Sequence, residues 1–283
     1  MKKYQLISDL FNCIVLHDND YIGSLKDIYF DDVEWQIRYF VVEITTNDSI
    51  SDYLLSAMAI KEIDLQKKTI IISISINTIL NSPTYEQDKP ISRQYEIALH
   101  RYYEWPEYWG QSEFFDTPGI KHLNEFNLPL DDMDNVTNNL NENDKLDISD
   151  KELPLEPTDG DIDSSDFSLS EEDDRTFSTS LRSFREIQGY IIQTNDTSRS
   201  IVKDFIIDLS SFSIVYLIIN LGFDQHGEYT LLTLHWLKAI NWRKSQFFID
   251  LSQQQLENAP RYKLRQNIDI PFEKTIYQYY DSL

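Results

Sequence analysis

The chain has 283 residues, 41% of them hydrophobic, with 17 Tyr, 15 Phe and 5 Trp, enough to fill two cores of about 100 residues each. A formal net charge of −23 disfavours contact with phosphate backbones and makes basic proteins the electrostatically easier partners. The single cysteine, Cys13, excludes an internal disulfide and fits a reducing compartment.

In chain order, Asp9 interrupts the N-terminal stretch before the apolar stretch of a signal peptide could form. The longest apolar runs, near Ile70–Ile72 and Ile214–Leu221, are too short to cross a membrane, so the expected location is cytoplasmic. A first strand is predicted over Leu10 to Leu16. It ends at His17-Asp-Asn-Asp20, where Asp and Asn side chains satisfy local backbone groups and tolerate left-handed backbone. Gly23 to Phe30 reads as a second strand, with a turn at Asp31-Asp32. In a third strand, period two places Trp35, Ile37, Tyr39 and Val41 on one face. Leu54 to Ile60 and Thr69 to Ile76 supply two more β-rich runs around a turn at Asp64–Lys68. Ser92 is an N-cap for a helix from Arg93 to about Tyr103, with Tyr95, Leu99 and Tyr102 on one face.

All of this recurs 177 residues later. Lys26, Asp27, Asp31, Ile37 and Tyr39 return as Lys203, Asp204, Asp208, Ile214 and Tyr216. Pro83, Tyr85, Glu96 and Tyr102 return as Pro260, Tyr262, Glu273 and Tyr279. Asp269 replaces Ser92 with another N-cap residue, and Gly189 replaces Asn12 at a position that tolerates left-handed backbone. One offset held through every turn marks a tandem duplication. Between the copies, residues 111–183 hold 20 of the 48 acids and only five bases, without sustained period. They are expected to form a disordered acidic linker, about 50 Å across as a random coil. The expected division is 5–110, linker 111–183, and 184–283.

With the copies aligned, Gly23-Ser-Leu-Lys-Asp-Ile-Tyr-Phe-Asp31 and Ile37-Arg-Tyr-Phe-Val-Val-Glu43 resemble the start of a PRC-barrel domain. Ser82 to Glu96 and Arg101-Tyr-Tyr-Glu-Trp-Pro-Glu-Tyr-Trp-Gly110 are similar to the C-terminal signature of bacterial PRC-barrel proteins, and Leu256 to Tyr262 echo it. The copies depart where Ser200 replaces Gly23, and no counterpart of Trp105–Trp109 follows Tyr280. The resemblance implies a mainly β chain of two small PRC-type barrels, each followed by a C-terminal helix. The family's barrels in the photosynthetic reaction-centre H subunit and in the ribosome-maturation factor RimM are protein-contact modules. A non-catalytic protein-binding adaptor is therefore the expected function. An accessory protein of electron transfer like the H subunit and a RimM-like assembly factor are the alternatives.

Enzyme signals are poor. Seven glycines provide no P-loop or dinucleotide fingerprint, and His17, His100, His122, His226 and His235 show no metal-ligand spacing. Asp18-Asn-Asp20 lacks the remaining ligands of a calcium loop. No catalytic residue, cofactor or metal site is expected, and no direct nucleic-acid contact. Lys26-Asp27 reads as a solvated lysine beside a turn-bonding aspartate. Trp105, Tyr108 and Trp109 are the candidate protein-contact residues, because aromatics carry much of an interface's energy.

Overall fold

The computed structural model describes residues 3–11, 13–47, 49–85, 90–109, 121–122, 179–222 and 227–283. Strands β1 (Tyr4–Leu6), β2 (Ile14–His17), β3 (Asp20–Asp31), β4 (Gln36–Thr45), β5 (Ile50–Ser56), β6 (Ile60–Asp64) and β7 (Thr69–Ile72) precede helices α1 (Ile76–Leu80) and α2 (Arg93–Tyr103). Two short strands, β8 (Lys121–His122) and β9 (Leu181–Ser183), lead into the one-turn helix α3 (Phe184–Ile187). Strands β10 (Ile191–Gln193), β11 (Arg199–Asp208), β12 (Ser213–Asn220), β13 (Glu228–Thr233), β14 (Leu237–Asn241) and β15 (Gln246–Ile249) follow. Then come α4 (Gln253–Asn258), β16 (Arg261–Lys263) and α5 (Ile270–Asp281).

The elements keep the offset of the sequence: β15 repeats β7 residue for residue, and α5 begins 177 positions after α2. Local chemistry explains why. Ser75 and Ser252 accept from the third residue of α1 and α4, and Ser92 and Asp269 do the same for α2 and α5. Asp64 Oδ1 accepts from the Gln66 and Lys67 amides at 3.0 Å, closing the turn read at 64–68. The first strand differs from expectation. Ile7–Asp9 is a 3-10 turn, and only Ile14–His17 continues as strand. His235 lies in the 3-10 turn Leu234–Trp236.

In the first half the strands run β6-β7-β2-β3-β4, with β5 on the far side of β4; in the second, β14-β15-β10-β11-β12, with β13 beyond β12. Two closed barrels were expected, and the sheet is not closed. Between β5 and β6 the chain turns through Ala57–Ala59, where Ser56 Oγ accepts from the Met58 amide and the Ala57 carbonyl from the Ile60 amide. The rows instead join each other, where Gln36 of β4 pairs with Ser213 of β12. Gln36 and Ser213 are themselves 177 apart, so this contact lies on an internal two-fold axis. Ile37 N–H donates to the Phe212 carbonyl at 2.9 Å, and Ile214 N–H to the Trp35 carbonyl at 2.8 Å.

Four bulges bend the long hairpins, at matching places in each half. Lys26 and Lys203 are extra residues in β3 and β11, and Arg38 and Val215 in β4 and β12. The Arg38 bulge resets the alternation predicted for Trp35, Ile37, Tyr39 and Val41. Ile37 joins Phe40, Val42 and Ile44 in the main core, while Tyr39 and Val41 face a smaller cluster under α2. Trp35 ends the turn before β4 in left-handed conformation (φ 55°), as Phe212 does in the second half (φ 58°). Gly23 answers to close approach, since a Cβ there would lie 2.2 Å from the Glu43 carbonyl oxygen.

The halves also exchange their first strands. β1 pairs antiparallel with β11 of the second half, and β9, its counterpart 177 residues on, pairs with β3 of the first. Leu209 N–H donates to the Lys3 carbonyl at 2.9 Å, and Asp32 N–H to the Ser180 carbonyl at 2.8 Å. One hydrophobic core therefore runs through both halves, from Leu6, Phe30 and Trp35 to Phe205, Ile218 and Phe247, where two were expected. Within the stretch read as linker, residues 121–122 form a strand parallel to β14, and residues 181–183 are β9. The other residues of 111–183, apart from 179–180, lie outside the described residues, as do His226 and Asn12.

Candidate functional site

The richest cluster of polar side chains lies between β4 and α2. Leu99 seats the helix on Tyr39, Val41, Leu54 and Leu181, so the helix face nearest β4 is fixed. α2 then stops at Glu104, which adopts left-handed backbone (φ 58°) while Trp105 N–H donates to the His100 carbonyl at 2.9 Å. That cap turns the chain back, and Trp105 to Trp109 lie over the helix they have just left.

Glu96, with no exposed surface, is the centre. Its Oε1 receives the Tyr39 hydroxyl at 2.8 Å and the Tyr108 hydroxyl in a short contact; its Oε2 receives Arg93 at 2.8 Å. His100 lies beside it, with Nε2 at 2.7 Å from the Tyr39 hydroxyl and Nδ1 at 2.9 Å from the Pro106 carbonyl. Trp109 meets the His100 ring edge-on at 4.7 Å and lies under the Arg93 guanidinium at 4.6 Å. Arg38, the bulge residue of β4, stacks on Tyr108 at 3.9 Å. Trp105 stacks on Tyr103 at 4.2 Å.

The hydrogen bonds fix a proton count. Nδ1 of His100 must donate, since its partner is a carbonyl. The Tyr39 hydroxyl has one proton and faces both Oε1 and Nε2. Donating to Glu96 requires a proton on Nε2; donating to Nε2 requires one on the carboxyl. Either way the trio holds one proton beyond carboxylate, phenol and neutral imidazole. Burial pushes Glu96 up and His100 down, which favours the proton on the carboxyl. Burial also pushes the Tyr39 and Tyr108 hydroxyls up, so both keep their protons.

A pH dependence follows. Between about 4.5 and about 6.5, the ordinary values of Glu and His, an unfolded pair also carries one proton, now on the histidine. Above that window the unfolded chain releases it while the folded trio keeps it. Wild-type stability should fall there by about 1.4 kcal/mol per pH unit until the trio titrates. Glu96→Gln removes the retained proton, so urea titrations from pH 6.5 to 9 should show the variant gaining on wild type. Parallel curves would refute this proton count.

The second polar site is double. Asp27 accepts from Ser183 Oγ at 2.5 Å, the Ile28 amide at 2.8 Å and the Arg185 amide at 3.3 Å. Its twin Asp204, 3% exposed, accepts from Ser8 Oγ in a short contact, the Phe205 amide at 2.8 Å and the Ser8 amide at 3.3 Å. Ser8 and Arg185 are 177 apart, so each aspartate anchors the segment that arrives from the other half. Lys26 is not simply solvated: it pairs with Asp52 at 3.0 Å and Glu43 at 3.3 Å. The bulge separates it from Asp27, lysine outward and aspartate inward.

The three residues singled out from sequence, Trp105, Tyr108 and Trp109, are thus brought together, half-buried against their own half. Tyr39, Arg93, Glu96 and His100 escaped sequence reading as a group. The available signal was the recurrence of Tyr39 and Glu96 as Tyr216 and Glu273. In the second half the carboxylate is again held by a tyrosine, with Tyr4 of the exchanged strand donating to Glu273 at 2.5 Å. Among the described residues, no group of three or more His, Cys, Asp or Glu is placed to hold a metal ion.

Fold and site define a β-rich protein of two matching halves, its most elaborate polar cluster closed by its own tail. Comparison with known families gives the class a name for one part. Residues 4–75, from β1 to the N-cap of α1, match the family model of the PRC-barrel domain. No curated protein matches the chain. No helix among the described residues is long and apolar enough to cross a membrane.

Proposed function

We propose that this chain is a non-catalytic, cytoplasmic protein-binding adaptor in which both halves are PRC-type modules. The observation that carries this reading is the use made of the chemistry-bearing side chains. Glu96, Tyr39 and His100 are buried, and together with Tyr108 and Arg93 they are occupied in holding Trp105–Trp109, so neither the carboxylate nor the imidazole of this cluster is free for a substrate. Single apolar side chains stand outward instead, among them Tyr21, Ile50, Ile201 and Ile270. The shared core supports a modified form of the adaptor, with contact surfaces on one body rather than on two tethered beads. The negative charge favours a basic partner. Quantitative affinity capture with the full chain should recover one partner reproducibly and in constant ratio. Recovery of none, or a catalytic activity lost in Glu96→Gln, would defeat the proposal.

A further inference from the structure

The row of strands in each half begins with the outer member of a hairpin, β6 in the first half and β14 in the second. The two hairpins match residue for residue. Glu62 and Ile63 stand opposite Ile71 and Ile70, as Ala239 and Ile240 stand opposite Phe248 and Phe247. Each outer strand also carries one bulged lysine, Lys61 and Lys238. Their outer edges differ. Lys121–His122 pairs with β14 in parallel, Lys121 opposite Ala239 and His122 opposite Ile240. Among the described residues, β6 pairs with β7 alone. A strand paired on one side presents the N–H and C=O groups of its other side to an incoming chain.

Lysines and bulges ordinarily protect an edge from strand addition. They do not block it on this hairpin, because β14 has both and accepts β8 all the same. What separates the two edges is charge. Where β14 has Ala239 and Asn241, β6 has Glu62 and Asp64. Asp64 is engaged by the Gln66 and Lys67 amides and by Lys67 Nζ, each at 3.0 Å. Lys61 lies 3.8 Å from Asp18. That leaves exposed Glu62 as the acid this edge offers.

We propose that β6 takes up an extended segment of a partner protein as an added parallel strand, with a lysine or arginine paired opposite Glu62. Main-chain hydrogen bonds supply the affinity, and the pair at Glu62 sets the register and the sign of the charge. The occupant of the twin edge has this chemistry. It is a lysine followed by a histidine, drawn from the acidic stretch 111–183, and its lysine holds the same register position. On β14 that lysine stands opposite an alanine, whereas on β6 the same kind of segment gains a carboxylate. The net charge of −23 attracts such a partner and repels a second copy of the chain. The proposal rests on the adaptor reading and identifies one of its surfaces.

The probe is a fluorescent peptide of residues 117–124, titrated into the full-length protein and followed by anisotropy. Saturable binding is expected, weakened about fivefold by Glu62→Lys and about fivefold when the peptide carries Lys121→Glu. Combining the two reversals should restore it. Asp281→Lys makes the same change of net charge on α5 and should leave binding of the unaltered peptide as it was. Both protein substitutions alter exposed side chains, so each variant should keep the wild-type circular dichroism. Hydrogen exchange of the complex should show new protection in Ile60–Asp64. Absence of saturable binding, or failure of the reversed pair to restore it, would overturn the proposal. So would protection gained on Leu237–Asn241 instead, since the peptide would then have replaced the chain's own strand. A concentration-dependent dimer lost in Glu62→Lys would also overturn it, because the occupant would be a second copy. If the peptide fails while affinity capture still yields a constant partner, the β6 site falls and the adaptor stands.

Discussion

Trp35→Ala is expected to lower the stability of the whole protein by about 3–5 kcal/mol, the range for removing a buried large aromatic. The residue is 4% exposed and stacks on Phe30 of its own half at 5.3 Å. It also reaches Phe205 at 6.2 Å and Phe247 at 6.4 Å in the other half. Phe212 answers from the opposite side, meeting Phe40 edge-on at 5.8 Å. Each hairpin tip thus places an aromatic residue in its neighbour's half. In a urea titration read by far-ultraviolet circular dichroism, the midpoint should move without change of slope. Hydrogen exchange should show the second half losing protection together with the first. Loss confined to residues 3–109 would sink the shared-core account. Trp35→Phe is the control. It keeps a ring in the stack and removes an indole N–H that has no partner, so its cost should stay below about 1.5 kcal/mol.

What could be read from the sequence was whatever is decided locally. Ser92 and Asp269 cap their helices because a side-chain oxygen meets an amide three residues on, and no tertiary contact is needed. The same holds for Asp18 to Asp20, where Asp18 takes left-handed backbone (φ 54°) between β2 and β3. The bulges were hidden, because one extra residue leaves composition untouched while reversing every face beyond it. The strand exchange was hidden for a stronger reason. When two copies carry the same register, Tyr4–Leu6 can pair with β3 or with β11 in equivalent ways, and an offset of 177 is silent about which. Only three-dimensional closure separates the two pairings. The tail was legible as aromatic and interactive, but its direction was not. Glu104 makes the turn in left-handed backbone, a place where glycine or asparagine would have advertised it. Glu96 was the hardest, since a lone acid on a helix is ordinarily solvated. Its partners come from β4, α2 and the tail.

Asp204→Ala should be the most damaging single change at the exchanged strands, and Asp204→Asn nearly silent. Alanine strands the Ser8 amide, the Ser8 hydroxyl and the Phe205 amide together, at about 1–3 kcal/mol for each buried group left unsatisfied. Allowing for local relaxation, a loss of about 3–5 kcal/mol is expected, comparable with breaking a buried polar pair. Asparagine keeps an accepting oxygen for the amides, and its own amide can donate to the Ser8 hydroxyl. The sign of the pH effect separates charge from shape. Burial holds the Asp204 carboxyl above its ordinary value, so the folded chain takes up its proton more readily than the unfolded chain. Its contribution is therefore fully present at low pH and is lost as pH rises from about 3.8 through the folded value. Asparagine does not titrate, so Asp204→Asn should gain on wild type over that rise, whereas Asp204→Ala should remain below Asp204→Asn at every pH. Asp27, raised for the same reason and bonded to the twin segment, should repeat the pattern. If Asp204→Asn were as damaging as Asp204→Ala, the negative charge itself would be holding the exchanged strand, and the account of a hydrogen-bond acceptor in a desolvated site would fail.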